Sequence, residues 1–417
     1  MIKKILTAIA ATALAAASVA QVRPGIEVLA NRNFEALKGK RVGLITNPTG
    51  VDRNLRSTID ILHEAPEVNL VALFAPEHGV RGDQHAGLKV SDSRDKATGV
   101  KVYSLYGANR RPSAAMLSDI DVMVYDIQDN GCRSYTFIST LGLCMDACAK
   151  AGKEFLVLDR PNPVGGKVEG LITEDDCKSF VSQFPIPYLY GLTPGELALY
   201  LNGEGLLESG KTVNLKVIPM EGWHRSMDYS ATGLPWVLPS PHIPTAETSL
   251  YYPASGILGE LDYMSIGVGY TMPFRLFAAP WITDAAGLSA RLNALNLPGV
   301  KFRPIHFTPF YSMGQGKPSA GVECYITDRE AATLTLIQFY VAQETAEMYP
   351  AHKMLEGRAA SRLNMFDKVT GSKKIRTLFG KRHRVEDIET LWMGGCDAFK
   401  TKSAPYKLYK DHDTNQK

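Results

Sequence analysis

Short continuous runs of Val, Leu and Ile alternate with helical patterns over the first half of the chain. Six such runs lack polar alternation, which is typical of strands buried on both faces. They cover residues 41–46, 69–75, 101–106, 121–127, 154–159 and 213–219. Amphipathic stretches predict helices over 54–64 and 136–150, and Thr193, Pro194 and Glu196 form a capping-box pattern that predicts another helix start. This alternation predicts an α/β fold with a doubly wound, mainly parallel sheet.

The pattern of the chain changes after Leu238. The segment "PSPHIPT" over 239–245 has three prolines in seven residues, which predicts a rigid, exposed crossing. Beyond it the predicted helices cover 284–296 and 330–348, the predicted strands cover 300–307 and 321–327, and the tail over 366–409 is mainly helical. We therefore predict a first domain over 21–248 and a smaller mixed α/β domain over 249–417.

The first twenty residues have the pattern of a secretory signal peptide. Lys3 and Lys4 precede an apolar run over 5–17, and residues 18–20 (Ser-Val-Ala) form a small-x-small cleavage site. The apolar run is shorter than the roughly 20 residues that a membrane span requires, so a membrane anchor is less favoured. We expect the mature chain to begin at Gln21 and to be periplasmic or secreted, without a membrane anchor.

Composition and missing motifs exclude several classes of function. The net charge of the 417 residues is only +3, so nucleic acid is not indicated as a partner. The phosphate-binding G-x-G-x-x-G and P-loop patterns are missing, as is the G-x-S-x-G elbow of serine hydrolases. The six cysteines include no C-x-x-C and accompany no His cluster, so we expect neither a metal site nor a cofactor. The disulfide pattern and the oligomeric state stay open.

Polar side chains follow four of the predicted buried strands, each at the carboxyl end of its strand. Ligands bind outside these ends in an open parallel sheet, so we expect the four clusters to form one site. The candidates are Asn47 and Thr49 after the first strand, Glu77 and His78 after the second, Asp126, Gln128, Asp129, Arg133 and Tyr135 after the fourth, and Asp159, Asn162 and Glu169 after the fifth. Carboxylates, amides, an arginine and aromatic rings together indicate sugar chemistry, because carboxylates can act at an anomeric centre while the others hold hydroxyl and carboxylate groups.

Several of these residues also have ordinary structural explanations. A carboxylate after a strand is commonly a helix cap or a turn former, which we favour for Asp129, and both explanations stay open for Asp126 and Asp159. His78 is at least as well explained as a structural histidine, and Arg133 and Tyr135 have a structural explanation as ties between their loop and the next helix. Glu77 differs, because in "PEHG" a proline fixes the backbone before it and a glycine frees the backbone after it. This pattern favours a carboxylate that is held and presented.

The clusters, in this order, closely resemble those of one family, the NamZ-type exo-β-N-acetylmuramidases. The stretches that match include "GLITNPTGV" (43–51), "LFAPEHGVRG" (73–82), "YDIQDNGCRSYT" (125–136), "LDRPNPVGGKVEG" (158–170) and "WVLPSPHIPT" (236–245). The resemblance runs from about Gly25 to Tyr409. It implies a Rossmann-like first domain, a smaller second domain that closes a cleft over it, and the release of terminal N-acetylmuramic acid from peptidoglycan fragments.

The resemblance also implies roles for single residues. Glu77 of "PEHG" is the family's leading catalytic candidate, here as general acid/base, and Glu169 is our second catalytic carboxylate. Arg133 suits the lactyl carboxylate that distinguishes muramic acid from glucosamine. The residues implied to bind the sugar are Asn47, His78, Asp126, Gln128, Arg133, Tyr135, Asp159, Asn162 and His242.

Departures from the family pattern fall on the second domain's part of the predicted cleft. The usual Ser-Glu-Gly-Arg is missing from "LGELDYMSIGVGYTMPFRL" (258–276), in which Glu260 and Asp262 sit at shifted positions. His242 and Tyr325 stand where the family has Asn and His. A related amino sugar therefore stays open as the substrate, and so does the choice between a retaining, an inverting and a substrate-assisted reaction.

Two other functions remain as alternatives. A non-catalytic protein that binds cell-wall sugars or muropeptides could use the same cleft, and the altered 258–276 loop is its best support. An amidase or esterase is weaker, because the nucleophile elbow and the zinc pattern are both missing.

Overall fold

The computed structural model of the chain describes residues 21–77, 79–82, 93–107 and 109–412. The predicted signal peptide and His78 lie outside the described residues. The elements of the first half are α1 (Gly25–Asn31), β1 (Arg41–Thr46), α2 (Thr58–Glu64), β2 (Asn69–Ala75), β3 (Ser93–Arg94), β4 (Lys101–Ser104), α3 (Ala114–Leu117), β5 (Val122–Asp126), α4 (Phe137–Ala151), β6 (Glu154–Leu158), β7 (Val168–Glu169), β8 (Leu189–Tyr190), α5 (Pro194–Gly203) and β9 (Asn214–Ile218).

Seven of these strands form one sheet in the order β3-β4-β2-β1-β5-β6-β9. Neighbouring strands are parallel except for β3 with β4. The chain builds outwards from β1 on one side and then adds β5, β6 and β9 on the other. Strand order therefore reverses between β1 and β5, which opens a crevice at their carboxyl ends. The predicted fold class, a Rossmann-like doubly wound and mainly parallel sheet, is confirmed.

The apolar runs form strands here because both faces of the sheet are covered. Met123 and Tyr125 of β5 enter the core that packs on α4 and α5, while Val122 and Val124 enter the core on the side of α1 and α2. Successive side chains of a strand point to opposite faces, so a strand with a core on each side must be apolar throughout. The continuous runs in the sequence are the direct result.

Two helix starts show how local chemistry sets the ends of the elements. Thr193 Oγ1 accepts a hydrogen bond from Glu196 N (3.2 Å), and a Glu196 carboxylate oxygen accepts one from Thr193 N (3.0 Å), so the predicted capping box is present. The helix predicted over 54–64 begins only at Thr58. Leu55 has a φ of 65° and is 58% exposed, and Ser57 caps the helix instead.

The second half contains α6 (Thr248–Glu260), β10 (Leu276–Ala279), α7 (Ala285–Ala294), β11 (Val300–Phe307), β12 (Ser319–Ile326), α8 (Ile337–Met348), α9 (Ala360–Thr370), α10 (Lys373–Arg382), α11 (Glu389–Met393) and α12 (Cys396–Ser403). Its strands form an antiparallel sheet in the order β10-β12-β11. The mixed α/β character and the helical tail agree with the sequence prediction. The helix predicted over 330–348 starts only at Ile337, and α6 and β10 were not predicted.

One hydrophobic core joins the two halves. Tyr188 and Leu189 of the first half share this core with Phe339 and Trp392 of the second. The rings of Tyr188 and Trp392 lie 6.0 Å apart between centroids. The predicted division between residues 248 and 249 stays a prediction. Within the described ranges, no helix has the length and apolarity needed to cross a bilayer.

Candidate active site

A cleft of about 360 Å³ lies at the carboxyl edge of the large sheet, where the second half packs against it. The first half contributes the turn after β2 and the segment between β5 and α4. The second half contributes α6, the proline-rich crossing before it and the 258–276 loop. The principal side chains that line the cleft are Glu77, Tyr135, Ser240, His242, Tyr252, Glu260 and Phe274.

Glu77 lies half-buried on a tight turn immediately after β2. The Gly79 amide donates a hydrogen bond to the Pro76 carbonyl (3.2 Å), which closes the turn. Gly79 has a φ of 78°, in the left-handed region where a side chain would be strained. The flanking proline and glycine thus fix the backbone that presents Glu77 to the cleft, as their positions in the sequence suggested.

Glu260 supplies a second carboxyl group to the same cleft, from the last residue of α6. Burial raises the pKa of this carboxyl above the usual range, and the nearby charge of Arg362 only partly opposes the effect. Sequence reasoning noted Glu260 merely as part of an altered loop and did not include it in the site. Its position at the end of α6, a helix that the sequence did not predict, was the missing information.

Aromatic rings form one wall of the cleft. Tyr135 makes edge-to-face contacts with Phe137 (5.3 Å between centroids) and Tyr252 (5.5 Å), and Tyr252 contacts Phe274 in the same manner (4.9 Å). Burial raises the pKa of both tyrosine hydroxyls, so each stays protonated and can donate a hydrogen bond. Apolar ring faces beside hydroxyl donors suit a ligand with both C–H faces and hydroxyl groups, such as a sugar.

His242 lies at the rim of the cleft. Its Nε2 atom is 2.9 Å from the Tyr311 hydroxyl, which belongs to the loop between β11 and β12. The structure thus brings three of the predicted site residues, Glu77, Tyr135 and His242, into one cleft. Among the described residues, the other predicted site residues do not line this cleft.

Glu169 does not line this cleft, so the geometry favours a structural role, and its assignment as the second catalytic carboxylate stays a prediction. Its carboxylate accepts hydrogen bonds from the Thr335 amide (3.0 Å) and hydroxyl (3.1 Å), and Lys167 Nζ lies 3.4 Å away. The side chain is buried between β7 and the turn before α8. Glu169 therefore ties the two halves together.

The guanidinium of Arg133 is buried and its donors are used within the protein, which favours a structural role for this residue. Its terminal nitrogens donate to four backbone carbonyls, those of Leu171, Ile186, Val369 and Thr370, at 2.5 to 3.1 Å. Burial lowers the pKa of Arg133 to about 10, which leaves the group charged at neutral pH. The guanidinium does not line the cleft, so its role at a lactyl carboxylate stays a prediction that this geometry does not favour.

Asp126 forms a buried ion pair below the sheet edge. Arg160 Nε and Nη2 donate to its two carboxylate oxygens at 2.5 and 2.9 Å, and the Thr58 hydroxyl donates to it at 2.5 Å. Arg160 also donates to the Val51 carbonyl (2.8 Å). Asp126 thus links β5 to the loops after β1 and β6, which agrees with the structural explanation, one of the two left open for it.

The three predicted sugar-binding amides are buried in turns. The Asn162 side chain donates to the Leu192 carbonyl (3.0 Å), and the Gln128 side chain donates to the Pro161 carbonyl (2.7 Å). Asn47 Oδ1 accepts from the amide and hydroxyl of Thr49 at 2.9 and 2.5 Å. These contacts shape the loops at the sheet edge, and none of the three residues lines the cleft.

Asp159 is a buried helix-capping residue. Its carboxylate accepts from the Thr193 hydroxyl (2.7 Å), the Gly195 amide (2.8 Å) and the Tyr409 hydroxyl (2.5 Å). Burial raises its pKa to about 7, and the neighbouring charge of Glu196 acts in the same direction. Asp159 therefore fastens the start of α5 and the C-terminal segment to β6, and it does not reach the cleft.

The stability of the protein should fall as Asp159 loses its proton. The folded pKa of about 7 lies above the ordinary aspartate pKa of 3.8, so this contribution is complete below pH 4 and is lost as pH rises through 7. The free energy of unfolding of the wild type should decrease between pH 5 and pH 7.5. In Asp159→Asn we expect this decrease to be smaller by about 2 kcal/mol. Urea titrations of both proteins at the two pH values measure this difference. Identical pH dependence in both would contradict the assignment.

Comparison with known proteins agrees with this architecture. The family models described as "Exo-beta-N-acetylmuramidase NamZ", N-terminal and C-terminal, match residues 42–247 and 250–409. The peptidoglycan beta-N-acetylmuramidase NamZ of Bacillus subtilis is 43% identical over 390 residues, which cover 93% of this chain and 92% of that protein.

Two crystal structures of DUF1343 family proteins from Bacteroides fragilis are similar over nearly their whole length. One is 57% identical, with a TM-score of 0.90 over 94% of this chain and 99% of that chain. The other is 29% identical, with a TM-score of 0.76 over 94% of this chain and 100% of that chain. In the part of this chain that the structure describes, no group of His, Cys, Asp and Glu side chains is arranged to hold a metal ion.

Proposed function

The chain belongs to the NamZ family of exo-β-N-acetylmuramidases, and from this premise we propose that it is a glycoside hydrolase acting on peptidoglycan fragments. It releases N-acetylmuramic acid, or a closely related amino sugar, from their non-reducing ends. The observation that supports this function is the pair of carboxyl groups, Glu77 and Glu260, in one aromatic-walled cleft. We further propose that the protein acts in the periplasm or outside the cell, after cleavage of its first twenty residues.

The two carboxyl groups take different roles in the proposed reaction. Hydrolysis requires a proton for the departing oxygen and activation of the water that attacks the anomeric carbon. We assign the proton donor as Glu260, because its raised pKa keeps it protonated to higher pH than an exposed glutamate. Glu77 is the base that takes a proton from the attacking water. The C1–O bond to the glycan breaks as the C1–O bond to water forms, and both products carry hydroxyl groups.

Sugar selectivity cannot depend on Arg133 in this proposal, so it falls to residues that line the cleft. His242, at the rim, replaces the Asn of the family pattern, and the 258–276 loop supplies both Glu260 and Phe274. These are the segments in which the chain departs from its family. In this proposal these segments therefore decide which amino sugar is released.

The proposed function is tested with two chromogenic substrates, a β-N-acetylmuramide and the matching β-N-acetylglucosaminide. We expect release of the chromophore from the muramide and at least tenfold slower release from the glucosaminide, on the order of the discrimination that one recognised substituent provides. Cleavage of the glucosaminide alone would mean that the altered loop has changed the sugar. Cleavage of neither, with muropeptides still bound in calorimetry, would favour the non-catalytic binder.

A further inference from the structure

Two large aromatic side chains are exposed beside the cleft. Phe310 and Tyr311 lie in the loop between β11 and β12 and are 70% and 48% exposed. The Tyr311 hydroxyl is 2.9 Å from His242 Nε2, and His242 lines the cleft. The two rings therefore extend the rim of the cleft outwards, and exposed apolar side chains in such a position commonly mark a binding surface.

The exposed rings are held in place by neighbouring loops. Phe310 stacks on Tyr270 with 5.9 Å between ring centroids, and Tyr270 in turn packs against Phe307 at 4.6 Å. The Phe310 amide donates to the Gly269 carbonyl (2.7 Å). A Cβ atom at Gly269 would lie 2.0 Å from the Tyr311 carbonyl oxygen, so this close approach requires glycine. The surface is thus built in advance of binding, which lowers the entropy that a ligand must offset.

We propose that Phe310 and Tyr311 form an aromatic platform that binds the sugar on the leaving-group side of the scissile bond. In a peptidoglycan strand that sugar is N-acetylglucosamine. The inference rests on the proposed function, because an exo-acting enzyme takes one terminal sugar into its cleft. The cleft of about 360 Å³ is at the small end of the range for ligand pockets, so the rest of the glycan must pass over the rim.

The chemistry of the platform fits a pyranose ring. The face of an aromatic ring carries partial negative charge, and the C–H groups on one face of an amino sugar carry partial positive charge. One face of Phe310 is covered by Tyr270, so the stack leaves its opposite face for a ligand. Tyr311 adds a hydroxyl group for the polar edge of the sugar. Neither ring carries a formal charge, which favours a neutral sugar over a charged stem peptide as the occupant.

The test compares two substrates that differ only on the leaving-group side, methyl β-N-acetylmuramide and the disaccharide MurNAc-GlcNAc. For Phe310→Ala we expect the ratio of kcat/KM for the disaccharide to that for the methyl glycoside to fall about three- to tenfold. Phe310→Tyr keeps a ring and should restore the ratio. Leu408→Ala is the matched control, because Leu408 is 43% exposed and does not line the cleft.

The outcomes separate failure of the platform from failure of the proposed function. A ratio that Phe310→Ala leaves at the wild-type value would overturn the platform. So would a loss that appears only with peptide-bearing substrates, because the occupant would then be the stem peptide. If wild type cleaves neither substrate, the proposed function fails, and the platform is tested by calorimetry with the disaccharide. The same three- to tenfold weakening by Phe310→Ala, about the range expected for one ring, would still support it.

Discussion

Replacement of Glu77 by Gln is expected to lower kcat/KM for the chromogenic β-N-acetylmuramide by about a hundred- to ten-thousandfold. The amide has nearly the same shape as the carboxylate but cannot take the proton of the attacking water. The turn that presents residue 77 is fixed by the Gly79–Pro76 hydrogen bond and does not involve the Glu77 side chain. The variant should therefore fold normally, which thermal unfolding checks, and the loss can be assigned to chemistry.

The matched control for this experiment is Glu169→Gln. Glu169 is a glutamate at the end of a strand, the last residue of β7, but its carboxylate accepts hydrogen bonds from Thr335 and lies away from the cleft. We expect this variant to be less stable and to retain most of its activity. Loss of activity in Glu169→Gln comparable to that of Glu77→Gln, in a folded protein, would contradict the assignment of the catalytic pair.

Glu260→Gln separates the roles of the two carboxyl groups in the same assays. A nitrophenolate leaves without help from an acid, whereas the hydroxyl of a sugar needs a proton as the bond breaks. Loss of the proton donor should therefore lower kcat/KM much more for the disaccharide MurNAc-GlcNAc than for a chromogenic β-N-acetylmuramide with a nitrophenolate leaving group. Loss of Glu77 should lower kcat/KM for both substrates by a similar factor. If Glu77→Gln instead showed the larger loss with the disaccharide, and Glu260→Gln similar losses with both substrates, Glu77 would be the acid and Glu260 the base.

The fold could be predicted from the sequence largely because its main strands are buried on both faces. The run over 122–125 has apolar side chains towards each core, and this constraint is visible within four residues. The capping box at Thr193 is equally local, because both partners lie within one helical turn. Helix α6 was missed because Pro253 lies inside it and most of its residues are buried, so it lacks an amphipathic stripe.

The candidate site was predicted less completely, because its residues are chosen by contacts distant in sequence. Glu77 was found from its immediate neighbours, a proline and a glycine. Glu169 and Arg133 carried similar local signals, but their partners lie 166 and up to 237 residues away, at Thr335 and Thr370. A polar cluster at the end of a strand shows that polar side chains are needed at that place. Whether these side chains face a ligand or the other half of the protein depends on how the two halves pack.

Arg133→Met is expected to lower the free energy of unfolding by about 3–5 kcal/mol, one of the largest losses that a single substitution causes. Methionine fills the space but leaves four buried carbonyls without their donors, and each unsatisfied acceptor costs about 1–3 kcal/mol when relaxation and water do not compensate. Chemical denaturation of the full chain measures the loss.

Arg133→Lys keeps the prediction testable if the methionine variant does not fold. Lysine retains the positive charge, but its single ammonium cannot span carbonyls contributed by four separate residues, so stability should still fall. Because the buried guanidinium does not line the cleft, KM for the muramide should change little in the folded fraction, and so should selectivity against the glucosaminide. A residue that clamped the lactyl carboxylate would behave in the opposite way, with normal stability, a raised KM and lost selectivity. The two measurements together therefore decide whether this arginine recognises the substrate or joins the halves that form the cleft.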